Sequence, residues 1–400
     1  MTQSTQKKSR RPGLLIWIFI AIGCGIGCGM FFPEWLSRCF ATFNAIFSQF
    51  LGFCIPLIIL GFVAPAIADI GSRAGKMLVF TAILAYVATI FAGYLSYFTG
   101  ATFFPSMIQP MQYVAETESA GSAAPTAFFT IEMPPLMAVN SALVISFVLG
   151  LGVAMLANGT GALRNVLDDF RDVMIKVING AIVPLLPLYI FGIFLSMTAS
   201  GQVGTILSTF VKIIAVIFAL HIFLLLLQYT IASFFSRHGR NPLKLLWTMM
   251  PAYFTALGTQ SSAATIPVTL RQTVAMGVSE PVAGFTVPLC ATIHMSGSVL
   301  KLVACSLALM ITNGMPYDLG MFSYFIAMLA ITIVAAPGVP GGAVMASLGL
   351  LSSILGFTEA DNALMIALYI AMDSFGTACN VTGDGALSII VDRFFGKKTA

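Results

Sequence analysis

The stretch Tyr369–Lys398, YIAMDSFGTACNVTGDGALSIIVDRFFGKK, decides how the rest of the chain is read. Asp373, Thr377, Asn380 and Asp384 follow one another in it at steps of 4, 3 and 4. At about 100° per residue these four side chains fall within a helical sector of roughly 60°, in a stripe about 16 Å long. The other faces carry Ile370, Met372, Phe375, Val381, Leu387 and Ile390. The spacing predicts an apolar helix with one wet, acidic face. Ionisable groups at membrane depth are costly and normally face a protein interior or a water-filled cavity. Helix–helix glue is the plainer reading of such a stripe. Two aspartates on one intramembrane face exceed what glue requires.

Composition supports a membrane setting. The chain is 58% hydrophobic and only 8% charged, with mean hydropathy +0.96, whereas soluble domains average roughly 25% charged residues. Apolar runs long enough to span a bilayer recur throughout. The net charge of +4 is no nucleic-acid signature, because it follows from where Lys and Arg flank the spans. The seven cysteines lie mostly in apolar runs, without CxxC or a His partner at metal spacing, and read as small packing residues. No signal peptide is expected, since Lys7-Lys8-Ser9-Arg10-Arg11 leads straight into a full-length span.

Six spans are expected in the first part of the chain: Leu14–Phe32, Ile46–Ala68 (with Pro56 and Pro65 as kink points), Met77–Phe104, one within Leu136–Leu156, Val173–Met197, and Thr205–Phe235. With the N-terminus in the cytoplasm, the basic clusters at 7–11, 73–76, 164–176 and 237–244 all fall inside and only Arg38 outside, as the positive-inside rule requires. The loop 105–135 carries Glu116 and Glu118 but no Lys or Arg, and falls outside.

After Lys244 the pattern changes. Leu245–Leu270 is interrupted halfway by Gly258-Thr-Gln260-Ser261-Ser262, and the inside charge Arg271 follows. The segment is therefore expected to enter from the cytoplasm and return, as a re-entrant hairpin; irregular backbone at that depth must be buried in protein or line a cavity. Pro281–Thr312 crosses outward but breaks at CATIHMSGS, residues 290–298. Phe322–Leu355 breaks at APGVPGGA, residues 336–343, where Pro and Gly cannot continue a helix. Asp318, Glu359 and Asp361 place both its ends outside, making a second hairpin of opposite orientation. The acidic-stripe helix then crosses inward to Arg393, Lys397 and Lys398. Two inverted units of hairpin plus broken helix are the architectural sign of a secondary transporter. Half-helix N-termini suit an anionic group there, and free carbonyls suit a cation.

The SSAATIP of the first hairpin tip, the GVPGG of the second, TIHMSGS and DSFGTACNVTGD together resemble the glutamate transporter homologue family of sodium- or proton-coupled dicarboxylate and amino-acid symporters. The resemblance covers essentially the whole chain. It implies an all-α polytopic fold of eight transmembrane helices plus two re-entrant hairpins, working as an elevator in a homotrimer. Residues 1–13 would be a cytoplasmic segment. Residues 14–240 would hold six spans, with spans 1, 2, 4 and 5 as scaffold and spans 3 and 6 moving with the core. Residues 241–396 would be that transport core. It also implies residue roles. Asp373 would hold a substrate ammonium; Asn380, with the Ser261–Ser262 tip, its carboxylate; Thr377, Gln260, Gly376, Val339 and Gly341 would line the substrate site. Asp384 would be the principal sodium carboxylate, with Asn380, His294, Cys290, Thr292 and Met295 as further sodium ligands, several through carbonyls. Gly338, Pro340, Gly341 and Gly342 would form the outer gate. No catalytic residue, covalent cofactor or nucleic acid is implied; partners would be substrate, lipid and sister protomers in the cytoplasmic membrane, with both termini inside.

Three departures from that pattern are informative. Gly376 stands where acidic-substrate carriers place an arginine for the second carboxylate, and Gln260 is neutral too. A second buried carboxylate would lack a cation, so the expected cargo is a neutral amino acid, serine or threonine foremost. Gly376 is also expected to leave room for the cargo side chain. His294 and Ser296 replace the Asn and Asp of a third cation site, and the third span lacks the matching hydroxyl pair, so fewer coupled cations are expected. Lys301 stands where an aromatic is usual. It either snorkels outward or serves as a built-in cation. His294 is either a packed histidine, a polar remnant of a cation site or a proton-coupling group. A dicarboxylate or acidic amino-acid symporter that uses Lys301 is the alternative reading, and an ion channel with re-entrant loops a more distant one. No Ser-His or paired-Asp setting suggests an enzyme.

Overall fold

A computed structural model describes residues 14–72, 76–108, 125–156, 161–201, 203–236, 241–334 and 341–396. Every regular element among them is helical. In the first part these are α1 (Leu14–Gly29), α2 (Glu34–Ser72), α3 (Lys76–Met107), α4 (Val139–Met155), α5 (Ala162–Val177), α6 (Val183–Ala199) and α7 (Val203–Phe235). The second part comprises α8 (Pro242–Thr259), α9 (Ser262–Ala275), α10 (Glu280–Ile293), α11 (Ser296–Thr312), α12 (Leu319–Ile333), α13 (Gly342–Leu355), α14 (Glu359–Ala371) and α15 (Asp373–Phe395).

By length and composition, five of the described helical stretches can cross a membrane: within α2, along α3, through α5 and α6, within α7, and through α10 and α11. The pair α14–α15 is a sixth if its 60° bend lies within one span. Shorter apolar helices complete the set. Backbone groups are satisfied along the helix axes, as hydrocarbon demands. Serine and threonine hydroxyls are folded back onto their own helices, for example Thr81 on Met77 O and Ser306 on Leu302 O.

The boundaries differ from expectation at instructive points. The second span is a 39-residue helix that runs through Pro56 and Pro65 without interruption. The fifth begins well before Val173, because α5 is amphipathic and held by the Arg164–Asp168 pair at 2.7 Å. A π-helical turn at Ile178–Ile182 joins α5 to α6. Pro184 has no N–H to offer the carbonyl four residues back, and the Val183 N–H bonds Ile178 O, five residues back. Lys212 donates to the Met107 carbonyl at the end of α3, at 2.8 Å. The loop segment 109–124 and the tip 335–340 lie outside the described residues.

Packing divides the helices. α2 packs along α4, α5 and α6, and α1 along α6. The α1–α6 approach is close because Gly25 and Gly29 face it: a Cβ on Gly25 would stand 2.6 Å from Phe191 O. α3 and α7 instead pack on α11 and α15, and α15 is also in contact with α8, α9 and α10. All 17 residues of α11 are buried.

Candidate functional site

Each broken segment stops for a local reason and delivers polar groups to one place. α8 ends at Thr259 because Gln260 takes a left-handed conformation, φ 53°, which an L side chain rarely adopts. Ser261 is extended and its Oγ accepts the Ala264 N–H at 3.3 Å, starting α9. Gln260 Nε2 donates to Ser374 Oγ at 2.8 Å and pins this tip to the start of α15.

The seventh span breaks at His294 and Met295, between α10 and α11. Two N–H groups at the start of α11, those of Gly297 and Ser298, point at Asn380 Oδ1, at 2.7 and 3.3 Å. Asn380 Nδ2 in turn donates to Ser298 Oγ at 3.0 Å and to Met295 Sδ at 3.5 Å. The fit requires glycine at 297: a Cβ there would stand 2.7 Å from Cys379 Cβ and 2.7 Å from Gly376 O.

The acidic stripe begins at the first residue of its helix and runs to the middle of it. The chain bends by 60° between α14 and α15, so Asp373 is the first residue of α15. A carboxylate there meets the positive end of the helix dipole. Both its oxygens are engaged: Oδ1 accepts Lys301 Nζ at 2.9 Å, and Oδ2 accepts the Gly341 N–H at 2.8 Å. Lys301 is fully buried. Its ammonium also lies 3.4 Å from the centroid of the Tyr369 ring, a cation–π contact, and 3.4 to 3.5 Å from the Met372 and Tyr369 carbonyls. The outward-snorkelling option for Lys301 is therefore overturned. The expectation that Gly376 leaves room for cargo is overturned with it, since a Cβ at 376 would stand 2.9 Å from both Lys301 Cε and Nζ. The lysine stem fills that space.

Asp384, three turns further along, is paired as well. His294 Nδ1 donates to its Oδ1 at 2.9 Å, and both side chains are buried. The expected sodium carboxylate thus has an imidazole as its immediate neighbour. Cys290 is buried in an apolar cluster with Ala85, Ile293 and Leu387, and its carbonyl accepts the His294 N–H.

These elements enclose a cavity of about 200 Å³. Asp373, Thr377, Asn380, Gln260, Ser262 and Gly342 line it, together with Thr292 and Met295. Ser261 acts as the cap of α9 and is absent from the lining, while Gly341 reaches the site through its N–H. Val339, Gly338 and Pro340 lie outside the described residues. Sequence reasoning missed Ser298 and Tyr369, which also line the cavity, and two residues of α7 behind the break. His221 Nε2 donates to Gly297 O at 2.9 Å, and Gln228 Nε2 to Ser296 Oγ at 3.3 Å. Their signal was legible: two polar residues seven apart, hence on one face, in an otherwise apolar helix.

Residues 14–394 match the model of the sodium:dicarboxylate symporter family. This chain belongs to the sodium:dicarboxylate symporter family. It is accordingly a multi-pass membrane transporter and not an enzyme. It is similar to proteins named serine/threonine transporter SstT from Acinetobacter baumannii. Identity is 26% to that of strain ATCC 17978 and 25% to that of strain AYE, each over 397 residues, covering 96% of this chain and 97% of the relative.

Proposed function

We propose that this chain is a cation-coupled symporter of a neutral amino acid, with serine and threonine as leading cargoes and sodium as the coupling ion. The observation that carries the reading is the charge balance of the cavity. Asp373 and Lys301 form a neutral pair at 2.9 Å, so a zwitterion enters without leaving a buried charge unpaired, whereas a dicarboxylate brings two uncompensated charges. The cavity, at about 200 Å³, is smaller than most drug-sized pockets and suits a small metabolite. In this reading the cargo carboxylate faces the N-termini of α9 and α13, where Ser262 and Gly342 line the wall. Its ammonium approaches Asp373, shared with Lys301. Asn380 and Thr377 flank both groups. Asp384, with the carbonyls of the span-7 break, serves the ion. The names of the Acinetobacter relatives agree with this cargo class.

Eight spans with two re-entrant hairpins, cytoplasmic termini, a trimeric scaffold and an elevator motion belong to the same proposal. Its support is the packing: α1, α2, α4, α5 and α6 associate with one another, while α3 and α7 associate with the site-bearing helices. The test is uptake of a panel of labelled amino acids and dicarboxylates into proteoliposomes, with and without an inward sodium gradient. Sodium-driven uptake of serine or threonine is the expected result. Accumulation with a proton gradient alone would refute sodium as the driver.

One observation favours a second reading. The Lys301 ammonium sits beside Gly376, the position from which an arginine would grip a cargo carboxylate in acidic-substrate carriers. An acidic amino acid or dicarboxylate that draws Lys301 away from Asp373 would use it. Competition of labelled-serine uptake by aspartate and by succinate separates the two readings.

A further inference from the structure

α7 holds no residue expected to touch cargo or ion, yet it sends polar side chains to the break in the seventh span. His221 and Gln228 are both buried and stand seven residues apart, on one face of the helix. His221 Nε2 donates to Gly297 O at 2.9 Å. The same peptide group turns its N–H, that of Ser298, toward Asn380 Oδ1 at 3.3 Å, and the Gly297 N–H meets that oxygen at 2.7 Å. The first turn of α11 is thus held between His221 and Asn380. A carbonyl only accepts, so Nε2 carries the proton, while Nδ1 is buried with no partner among the described residues. Gln228 reaches a different place. Its Nε2 donates to Ser296 Oγ at 3.3 Å. Its Oε1 lies at the notch left by Gly383, where a Cβ would stand 2.7 Å from Gln228 Oε1 and 2.6 Å from His294 Cε1. The amide and the imidazole share the room that a side chain at 383 would need, and the same imidazole bonds Asp384 through Nδ1. Tyr229, beside Gln228, donates to Thr382 O at 2.8 Å and fixes α7 against α15 at this level.

We infer that α7 sets the two affinities of the carrier separately. His221 is a positioning residue for the cargo, acting through the 297–298 peptide on Asn380. Gln228 is a positioning residue for the ion, acting through His294 on Asp384. Both roles rest on the proposed reading that Asn380 meets the cargo and Asp384 the ion. Without the His221 donor the peptide is free to turn, and Asn380 loses its fixed orientation toward the cavity. Without the Gln228 amide the imidazole gains room to leave Asp384, which frees the carboxylate for the ion. The net contribution of one hydrogen bond corresponds to a shift of about fivefold in an equilibrium, which sets the size of each effect.

The experiment measures two affinities of the purified full chain. Serine binding is read at saturating sodium by scintillation proximity. Sodium binding is read without serine, as the sodium concentration that half-maximally raises the unfolding temperature. His221→Phe, which keeps a ring but no donor, is expected to weaken serine binding about fivefold and to leave the sodium midpoint unchanged. His221→Gln restores an N–H donor and is expected to bring serine binding back to that of wild type. His221→Met removes the donor with a flexible side chain and repeats the test if the phenyl ring prevents folding. Gln228→Ala is expected to lower the sodium midpoint about fivefold with serine binding unchanged. Ser296→Ala, which takes away the amide's partner, is expected to act in the same direction. Equal shifts of both affinities in either variant would overturn the inference and make α7 a packing helix. So would serine binding that His221→Gln fails to restore, or a sodium midpoint that stays or rises in Gln228→Ala. If wild type binds no serine, the cargo reading fails instead, and the sodium midpoints still decide the role of Gln228. If sodium leaves wild type unaffected, the ion reading fails, and the serine affinities of the His221 variants decide the role of His221.

Discussion

The Lys301–Asp373 pair can be measured directly with a double-mutant cycle on stability. Asp373→Asn keeps the volume of the side chain and an oxygen for the Gly341 N–H, but removes the charge. Lys301 is then left buried, with only the two carbonyls and the Tyr369 ring as partners. Removing one member of a buried pair typically costs about 3–5 kcal/mol, because the other charge stays uncompensated. The carbonyls and the ring offset part of this, so about 3 kcal/mol is expected for Asp373→Asn. Lys301→Met, which leaves Asp373 with one N–H donor and the dipole of α15, is expected to cost about the same. The double variant carries no orphaned charge and is expected to lie near wild type. The coupling energy is therefore about 6 kcal/mol, or on the order of 10⁴-fold in the unfolding equilibrium. The assay is reversible unfolding of the purified protein in mixed micelles, followed by circular dichroism. Additive effects of the two substitutions would refute the pairing and every conclusion built on it.

Three further outcomes follow from the same geometry. Gly297→Ala places a methyl 2.7 Å from Cys379 Cβ and Gly376 O; the resulting displacement of α11 from α15 is expected to cost about 1–3 kcal/mol and most of the uptake, as unfolding and uptake assays would show. Asn380→Ala strips the acceptor from the buried Gly297 and Ser298 N–H groups, for an expected loss of about 1–3 kcal/mol per orphaned group and no serine binding by scintillation proximity. His294→Asn removes the imidazole from Asp384 Oδ1. A hydrogen bond to a charged group contributes about 1.5–3 kcal/mol, so the sodium concentration for half-maximal uptake is expected to fall by about tenfold; a rise would show that His294 assists the ion site instead of competing for its carboxylate.

Much of the molecule was legible without coordinates, and the reasons are local. Apolar run length and the low charged fraction set the membrane class. The helix breaks at 260–261 and 294–295 fall where small and polar residues interrupt apolar runs. The stripe from Asp373 to Asp384 follows from helical periodicity alone. The second span was read too short because Glu34–Asn44 is only moderately apolar, yet nothing in it stops a helix. The bend at Met372 was not placed, since Tyr369–Phe375 contains neither Gly nor Pro before the turn.

What each aspartate touches belonged to the tertiary structure. A lysine near a helix break has a stem long enough to snorkel to the interface or to reach inward, and its sequence neighbours do not say which. The packing of α11 on α15 decides it: residues 301 and 373 are 72 positions apart, and the missing side chain at Gly376 gives the lysine its passage. The absence of an arginine at 376 is a fact of sequence; that a lysine from another helix fills the gap is a fact of packing. The same holds for His294 and Asp384, 90 positions apart. Periodicity determined which side chains share a face, because that depends on the backbone of one helix. Which charges neutralise them depends on how separate helices meet, and no local rule contains that.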